Sequence, residues 1–167
     1  AFYLDEFKEN IALALTEEQL NSGIVYPEII DRMKTSDVAY IKMKREIELK
    51  YLKPYITEAE VSGVRYTLVD SLNLMGNIAL VVVTKDAFDT NEREIVVTDI
   101  RERFEKVGLY SEYVKYFGKK ICDKHYSLVK EKLPGYEKKF KKLTIFNQLF
   151  GESCPICKIE KERNKRW

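Results

Sequence analysis

The sequence predicts an α/β fold, a small mixed, largely parallel sheet flanked by helices and followed by a helical extension. Three observations point there. Five short apolar runs punctuate residues 1–100, helical spacing fills the gaps between the first three, and charge and cysteine content change beyond residue 100.

The runs are "IALAL" (11–15), "VAYIKM" (38–43), "VRYTLV" (64–69), "IALVVV" (78–83) and "EIVV" (94–97). They are short and mostly rich in β-branched or aromatic residues, which pack well on a pleated surface. Several are apolar without alternation, as expected of central strands covered on both faces. "IALAL" suits a helix equally well by composition. Between the runs, "YPEIIDRMKTS" carries Pro27 near a helix start and sets Ile29, Ile30 and Met33 at helical spacing. "ELKYLKPYITEAEVSG" puts Leu52, Tyr55, Ile56 and Ala59 on one face and stops at Gly63. Pro54 belongs in a first turn, where its missing N–H costs nothing, so this helix is expected to start near Leu52 or Lys53. "DSLNLMGN" (70–77) reads as a turn. The order is βαβαβββ, and βαβ units favour parallel neighbours with right-handed crossovers.

The net charge of +2 conceals two halves. Residues 1–100 hold 11 Lys and Arg against 18 Asp and Glu, a net of −7, while residues 101–167 hold 18 against 9, a net of +9. Such asymmetry predicts two units, 1–100 and 101–167. The longest apolar run is far too short to cross a bilayer, and no membrane partner is expected. The first residues, "AFYLDEFKEN", lack the basic start and apolar stretch of a signal peptide. Three cysteines do not suggest a disulfide framework, and a reducing cytoplasm is the expected location.

Every cysteine and the single histidine fall within residues 122–167. Cys122 and His125 form C-x2-H in "GKKICDKHYSLV", and after 28 residues Cys154 and Cys157 form C-x2-C in "SCPICK". A tetrahedral metal ion takes four such ligands, and pairs two residues apart chelate it without strain. Between the pairs, helical spacing runs from Tyr126 through Val129 to Leu133, breaks at "PG" (134–135), and resumes at 136, 140, 143, 146 and 150. Two antiparallel helices would bring the pairs together. One structural zinc per chain is the leading expectation, because four protein ligands leave no open position for a substrate. An iron–sulfur centre, a redox C-x-x-C and ordinary packed Cys and His are the alternatives.

Other chemistry has thin support. No dinucleotide, P-loop or nucleophile-elbow motif occurs. Asp70, Asp86 and Asp89 follow strands, where carboxylates can serve acid–base work or bind a small molecule, but where Asp also simply makes turns. A non-enzymatic interaction module is therefore preferred over an enzymatic or small-molecule-binding domain. Lys138, Lys139, Lys141, Lys142, Arg163 and Arg166 are interleaved with aromatics, including Trp167, and offer a weak single-stranded nucleic-acid surface. The plainer reading is a solvated lysine face. A protein partner is admissible, its identity unknown.

"GIVYPEI" (23–29), "YITEAEVSGVRYTLVD" (55–70) and "GNIALVVVTKDAF" (76–88) resemble the YueI-like family of uncharacterised bacterial proteins, over roughly residues 7–98. The resemblance implies a compact α/β domain with an architecture similar to the L30e/L7Ae group, and no established activity. The stretch corresponding to the RNA-reading loop of that group, "TEEQLNSGIVYPE" (16–28), lacks its Asn-Glu pair and most of its basic residues. "KKICDKHYSL" is similar to the helical ligand pair of treble-clef fingers, although there the pair comes last and here it comes first.

Overall fold

The structure is a computed structural model that describes residues 2–70, 76–90 and 92–165. The chain forms two compact units, Ala1–Val97 and Thr98–Trp167.

In the first unit a small antiparallel ladder, β1 (Phe2–Tyr3) with β2 (Glu6–Phe7), precedes β3 (Ile11–Thr16), α1 (Glu17–Asn21), α2 (Pro27–Met33), β4 (Val38–Lys44), α3 (Leu49–Ser62), β5 (Arg65–Val69) and β6 (Ile78–Thr84). "IALAL" is a strand. Thr16 ends it and caps α1 through a reciprocal box with Gln19, satisfying backbone donors that the helix start leaves open. Pro27 occupies the first turn of α2, as its fixed φ favours. Burial of Leu52, Tyr55 and Ala59 defines the inner face of α3. The Tyr55 hydroxyl accepts the Tyr26 N–H at 2.9 Å and ties α3 to the start of α2. Gly63 closes α3 at φ 70°, a left-handed conformation that costs glycine little. The helix starts at Leu49, earlier than expected, so Pro54 lies inside it rather than in its first turn. The buried face formed with Tyr55 and Ala59 outweighs the lost hydrogen bond.

The sheet is mixed, with strand order β3-β6-β4-β5. β4 and β5 pair in parallel, whereas β6 runs antiparallel to both β3 and β4. The expectation of a largely parallel sheet therefore fails in two of three pairings. An unbroken apolar run reports burial on both faces, and all seven residues of β6 are buried, but it says nothing of neighbour direction. The expected fifth strand also shrinks. Around "EIVV" only Val96 bridges to Ala14, through Ala14 N–H to Ile95 O at 2.8 Å and Val97 N–H to Ala14 O at 3.1 Å. The segment is held upstream by Arg93, which donates to the Ile11 and Lys8 carbonyls, and downstream Asp99 caps the next helix. Ile95 joins Leu4, Ile11, Ala14, Val81 and Val83 in a core cluster. Residues 71–75 of the expected 70–77 turn lie outside the described residues.

The second unit contains α4 (Ile100–Lys106), a 3-10 turn (Ser111–Tyr116), β7 (Lys120–Ile121), α5 (Asp123–Lys132), a second 3-10 turn (Tyr136–Lys139), β8 (Lys141–Lys142), α6 (Ile145–Leu149) and α7 (Pro155–Asn164). Phe104 anchors its core, 5.5 Å from the Tyr113 ring centre and 5.8 Å from Tyr136, while Phe140 meets Phe117 edge-on at 5.3 Å. Such aromatic pairs add about 0.5–1.5 kcal/mol each beyond the area they bury. The expected continuous second helix over 136–150 is broken into the second 3-10 turn, β8 and the short α6. Phe140 and Leu143 turn into the core while Phe146 and Phe150 stay exposed, so the spacing that looked like one face is split between two environments. Parallel pairing of β7 with β8 returns the chain instead.

Candidate metal centre

Cys122 is the N-cap of α5 and His125 is its third residue; Cys154 is the N-cap of α7 and Cys157 is its third residue. Both pairs thus use the same local device. At a helix start the N-cap side chain faces the third residue, and free backbone N–H groups gather beside it. Asp123 occupies the first position of α5 and Pro155 that of α7, where each suits a helix start. The short sheet then sets the two starts side by side. Lys141 N–H donates to Lys119 O and Leu143 N–H to Ile121 O, both at 2.8 Å. Gly151, at φ 85°, turns the chain after α6 toward Cys154.

The four donor atoms lie within 4.8 Å of one another. Nδ1 of His125 is 3.1 Å from Cys122 Sγ, 3.5 Å from Cys157 Sγ and 3.7 Å from Cys154 Sγ, and Cys122 Sγ is 3.7 Å from Cys157 Sγ. One ring nitrogen has a single proton or a single lone pair, so it cannot hydrogen-bond three sulfurs at once. Ligands of a tetrahedral zinc ion stand about 3.8 Å apart for a sulfur pair and about 3.6 Å apart for sulfur and nitrogen, given bonds near 2.3 and 2.05 Å. Three of the four observed spacings lie close to these values; the Cys122–His125 pair would open by a few tenths of an ångström, and the set as a whole, which lies within 4.8 Å, would draw together around an ion. The residues fit a metal ion, and the group can hold one.

Electrostatics favour the same chemistry. Burial pushes the Cys154 thiol up, but backbone N–H groups of Cys122 and Cys157, with His125, outweigh it and bring it down to about 7. Cys157 is pushed up to about 12 by burial and by Cys122 and Cys154 beside it. The cluster tolerates one thiolate and resists another unless a cation joins them. His125 and Cys154 are nearly inaccessible, at 1% and 5% exposure, so a bound ion would sit away from water with four protein ligands.

Sequence reasoning missed Glu160. Its carboxylate lies 3.0 Å from Nε2 of His125, the nitrogen turned away from the cysteines, and also 3.4 Å from the Lys124 ammonium. His125 is the main influence holding Glu160 below the usual carboxylate range. This partner fixes which imidazole nitrogen is free to ligate. Its signal was the three-residue step from Cys157 along one face of α7.

The other candidates do not converge. Asp70 follows β5, which is parallel to β4, and Asp86 and Asp89 follow β6, which is antiparallel to it. The registers put Val69 beside Lys44 and Thr84 beside Val38. The three carboxylates therefore lie at opposite ends of the sheet, separated by roughly 20 Å along β4. Asp70 is exposed and meets Arg45 at 3.6 Å. Lys138, Lys139, Lys141 and Lys142 are exposed, with the Lys142 ammonium 4.8 Å from the Tyr126 ring centre. Arg163 is occupied by Glu112 and by the Tyr110 ring. Arg166, with Trp167, lies outside the described residues. No helix among the described residues is long and apolar enough to cross a membrane.

The chain is similar to the YueI protein from Bacillus subtilis, whose crystal structure superposes with a TM-score of 0.53 at 24% identity, over 59% of this chain and 76% of that one. No curated protein matches the chain. A family model described as a protein of unknown function, DUF1694, matches residues 1–94, a region that stops short of all four metal-ligand candidates. The chain belongs to this DUF1694, YueI-like family.

Proposed function

We propose that the protein is a non-enzymatic interaction module whose C-terminal unit is held together by one structural zinc ion on Cys122, His125, Cys154 and Cys157. A single observation carries this reading: four soft donor atoms from two helix starts lie within 4.8 Å of one another, around one shared point. Three thiols and an imidazole suit zinc, and a closed set of four ligands suits a structural role over a catalytic one. The ion would supply charge neutralisation among the thiolates and a crosslink between α5 and α7. In comparable small units such a site contributes about 10 kcal/mol or more to folding. Three free thiols suit a reducing cytoplasm.

Elemental mass spectrometry of untagged protein, purified without chelator, tests it. One zinc per chain, lost in Cys157→Ser, is the expected result. Iron with visible absorbance would replace zinc by a redox centre, and absence of any metal would return the four residues to ordinary packing.

A further inference from the structure

Four large apolar side chains around α6 lie in water: Ile145 is 77% exposed, Phe146 73%, Leu149 75% and Phe150 85%. Spaced at i, i+1, i+4 and i+5, they form one face. The segment is anchored at its base, because Thr144 and Asn147 make a reciprocal capping box and Glu152 N–H donates to Asn147 O at 3.0 Å. The face is therefore presented by a built turn. A contiguous exposed patch of this kind marks an interaction site more often than chance.

Beside it runs a groove of about 460 Å³, lined among others by Lys119, Lys120, Lys141, Leu143 and Glu152. Leu143 and Glu152 flank the α6 segment, so the apolar face rises from the rim of the groove. Glu152 pairs with Lys120 at 3.4 Å. Lys119 and Lys141 are exposed and have no acidic partner among the described residues.

We infer that this surface docks on a bilayer containing anionic lipid, the α6 face entering the interface while Lys119 and Lys141 meet lipid phosphates. A face whose residues are three-quarters exposed projects outward, and the fluid interface of a bilayer accepts a projecting face that a protein could take only with a matching pocket. Two of the four side chains, Ile145 and Leu149, are aliphatic and give a nucleic-acid base nothing to stack on. At the rim, the charge of Lys119 and Lys141 complements anionic lipid phosphates. The expectation of no membrane partner rested on the lack of a spanning segment, which peripheral docking does not require. The inference goes beyond the metal reading and needs only a folded C-terminal unit, which metal content and circular dichroism report separately.

The test is co-sedimentation of the full chain, as purified, with vesicles of phosphatidylcholine alone or of equal parts phosphatidylcholine and phosphatidylglycerol. The chain is expected to pellet with the second and remain in solution with the first. Phe146→Ser with Phe150→Ser should weaken binding at least about tenfold, and Lys119→Gln and Lys141→Gln about fivefold each. All four positions are exposed, so these variants keep the fold. No pelleting with the anionic vesicles overturns the inference, and so does undiminished pelleting of the Phe variant. Retention on oligouridylate without vesicle binding overturns it in favour of nucleic acid. A dimer abolished by the Phe substitutions, again without vesicle binding, assigns the face to a second copy.

Discussion

The two units hold themselves together by different means. In the first, a seven-residue strand lies buried along its whole length between two antiparallel neighbours, and α2 and α3 bury Ile29, Met33, Leu52 and Tyr55. In the second, each strand is two residues long and α6 is a five-residue helix with no buried residue. Its aromatic cluster around Phe104 supplies a core, but α7 buries only Ile156 besides its contribution to the Cys and His cluster. Continuous apolar burial can support a unit by itself, whereas short, strongly charged elements depend on a local crosslink.

Removing the proposed metal crosslink is the sharpest way to break this contrast. Stripping the metal with a chelator should unfold the second unit and leave the first folded, the loss amounting to about 10 kcal/mol or more of its folding energy. Hydrogen exchange read unit by unit checks this; protection retained across residues 120–157 after stripping would refute it. Acid should act in the same order. Ligand thiols and imidazole must be deprotonated to bind, so metal affinity falls as pH falls. Asp37 in the first unit is held well below its usual range by hydrogen bonds from Arg32 and Thr35. A depressed carboxylate stabilises above its unfolded pKa, near 4, and that stability is lost only as pH falls through the folded value. Metal release followed with a chelating dye is thus expected at higher pH than loss of the first unit's circular dichroism.

Smaller effects sharpen the comparison. Glu160→Gln keeps the size of the side chain but weakens its hold on His125, and should lower metal affinity about 10- to 100-fold by competition titration. An unchanged affinity would show that the carboxylate merely neighbours the ring. In the first unit, Tyr55→Phe removes the hydroxyl that accepts the Tyr26 N–H and should cost about 1–3 kcal/mol in urea denaturation. Asp70→Asn alters an exposed ion pair and should shift stability by no more than about 0.5 kcal/mol. A larger shift, or loss of a bound small molecule, would revive a role for that strand end.

What could be read from the sequence follows the range of each interaction. Apolar runs located β3, β4 and β6 because burial is written residue by residue. β5, none of whose residues is fully buried, was located by its β-branched and aromatic composition, and Gly63 located the end of α3 because a left-handed position leaves few choices. The direction of β6 was not legible, since it depends on where residues 70–77 carry the chain. The ligand pairs were legible because chelation imposes a local spacing. Glu160 was hidden among the many acidic residues of a charged tail, and only the fold singles it out. The supposed helix over 136–150 failed because apolar spacing does not tell which residues meet the core and which meet water.

The place of β6 has a consequence for how the molecule is made. β3 and β4 have no pairing with each other; each waits for a strand that emerges from the ribosome after every other strand of the sheet. Until that segment is synthesised, the nascent chain can assemble α2, α3 and the β4–β5 pair, but β3 lacks its neighbour, and both its own edge and that of β4 stand open. Closing contacts over such a span of sequence is slow, and open strand edges invite pairing with other chains. Completion of the sheet is thus a late event, and the interval before it is when its strand edges are most open to other chains.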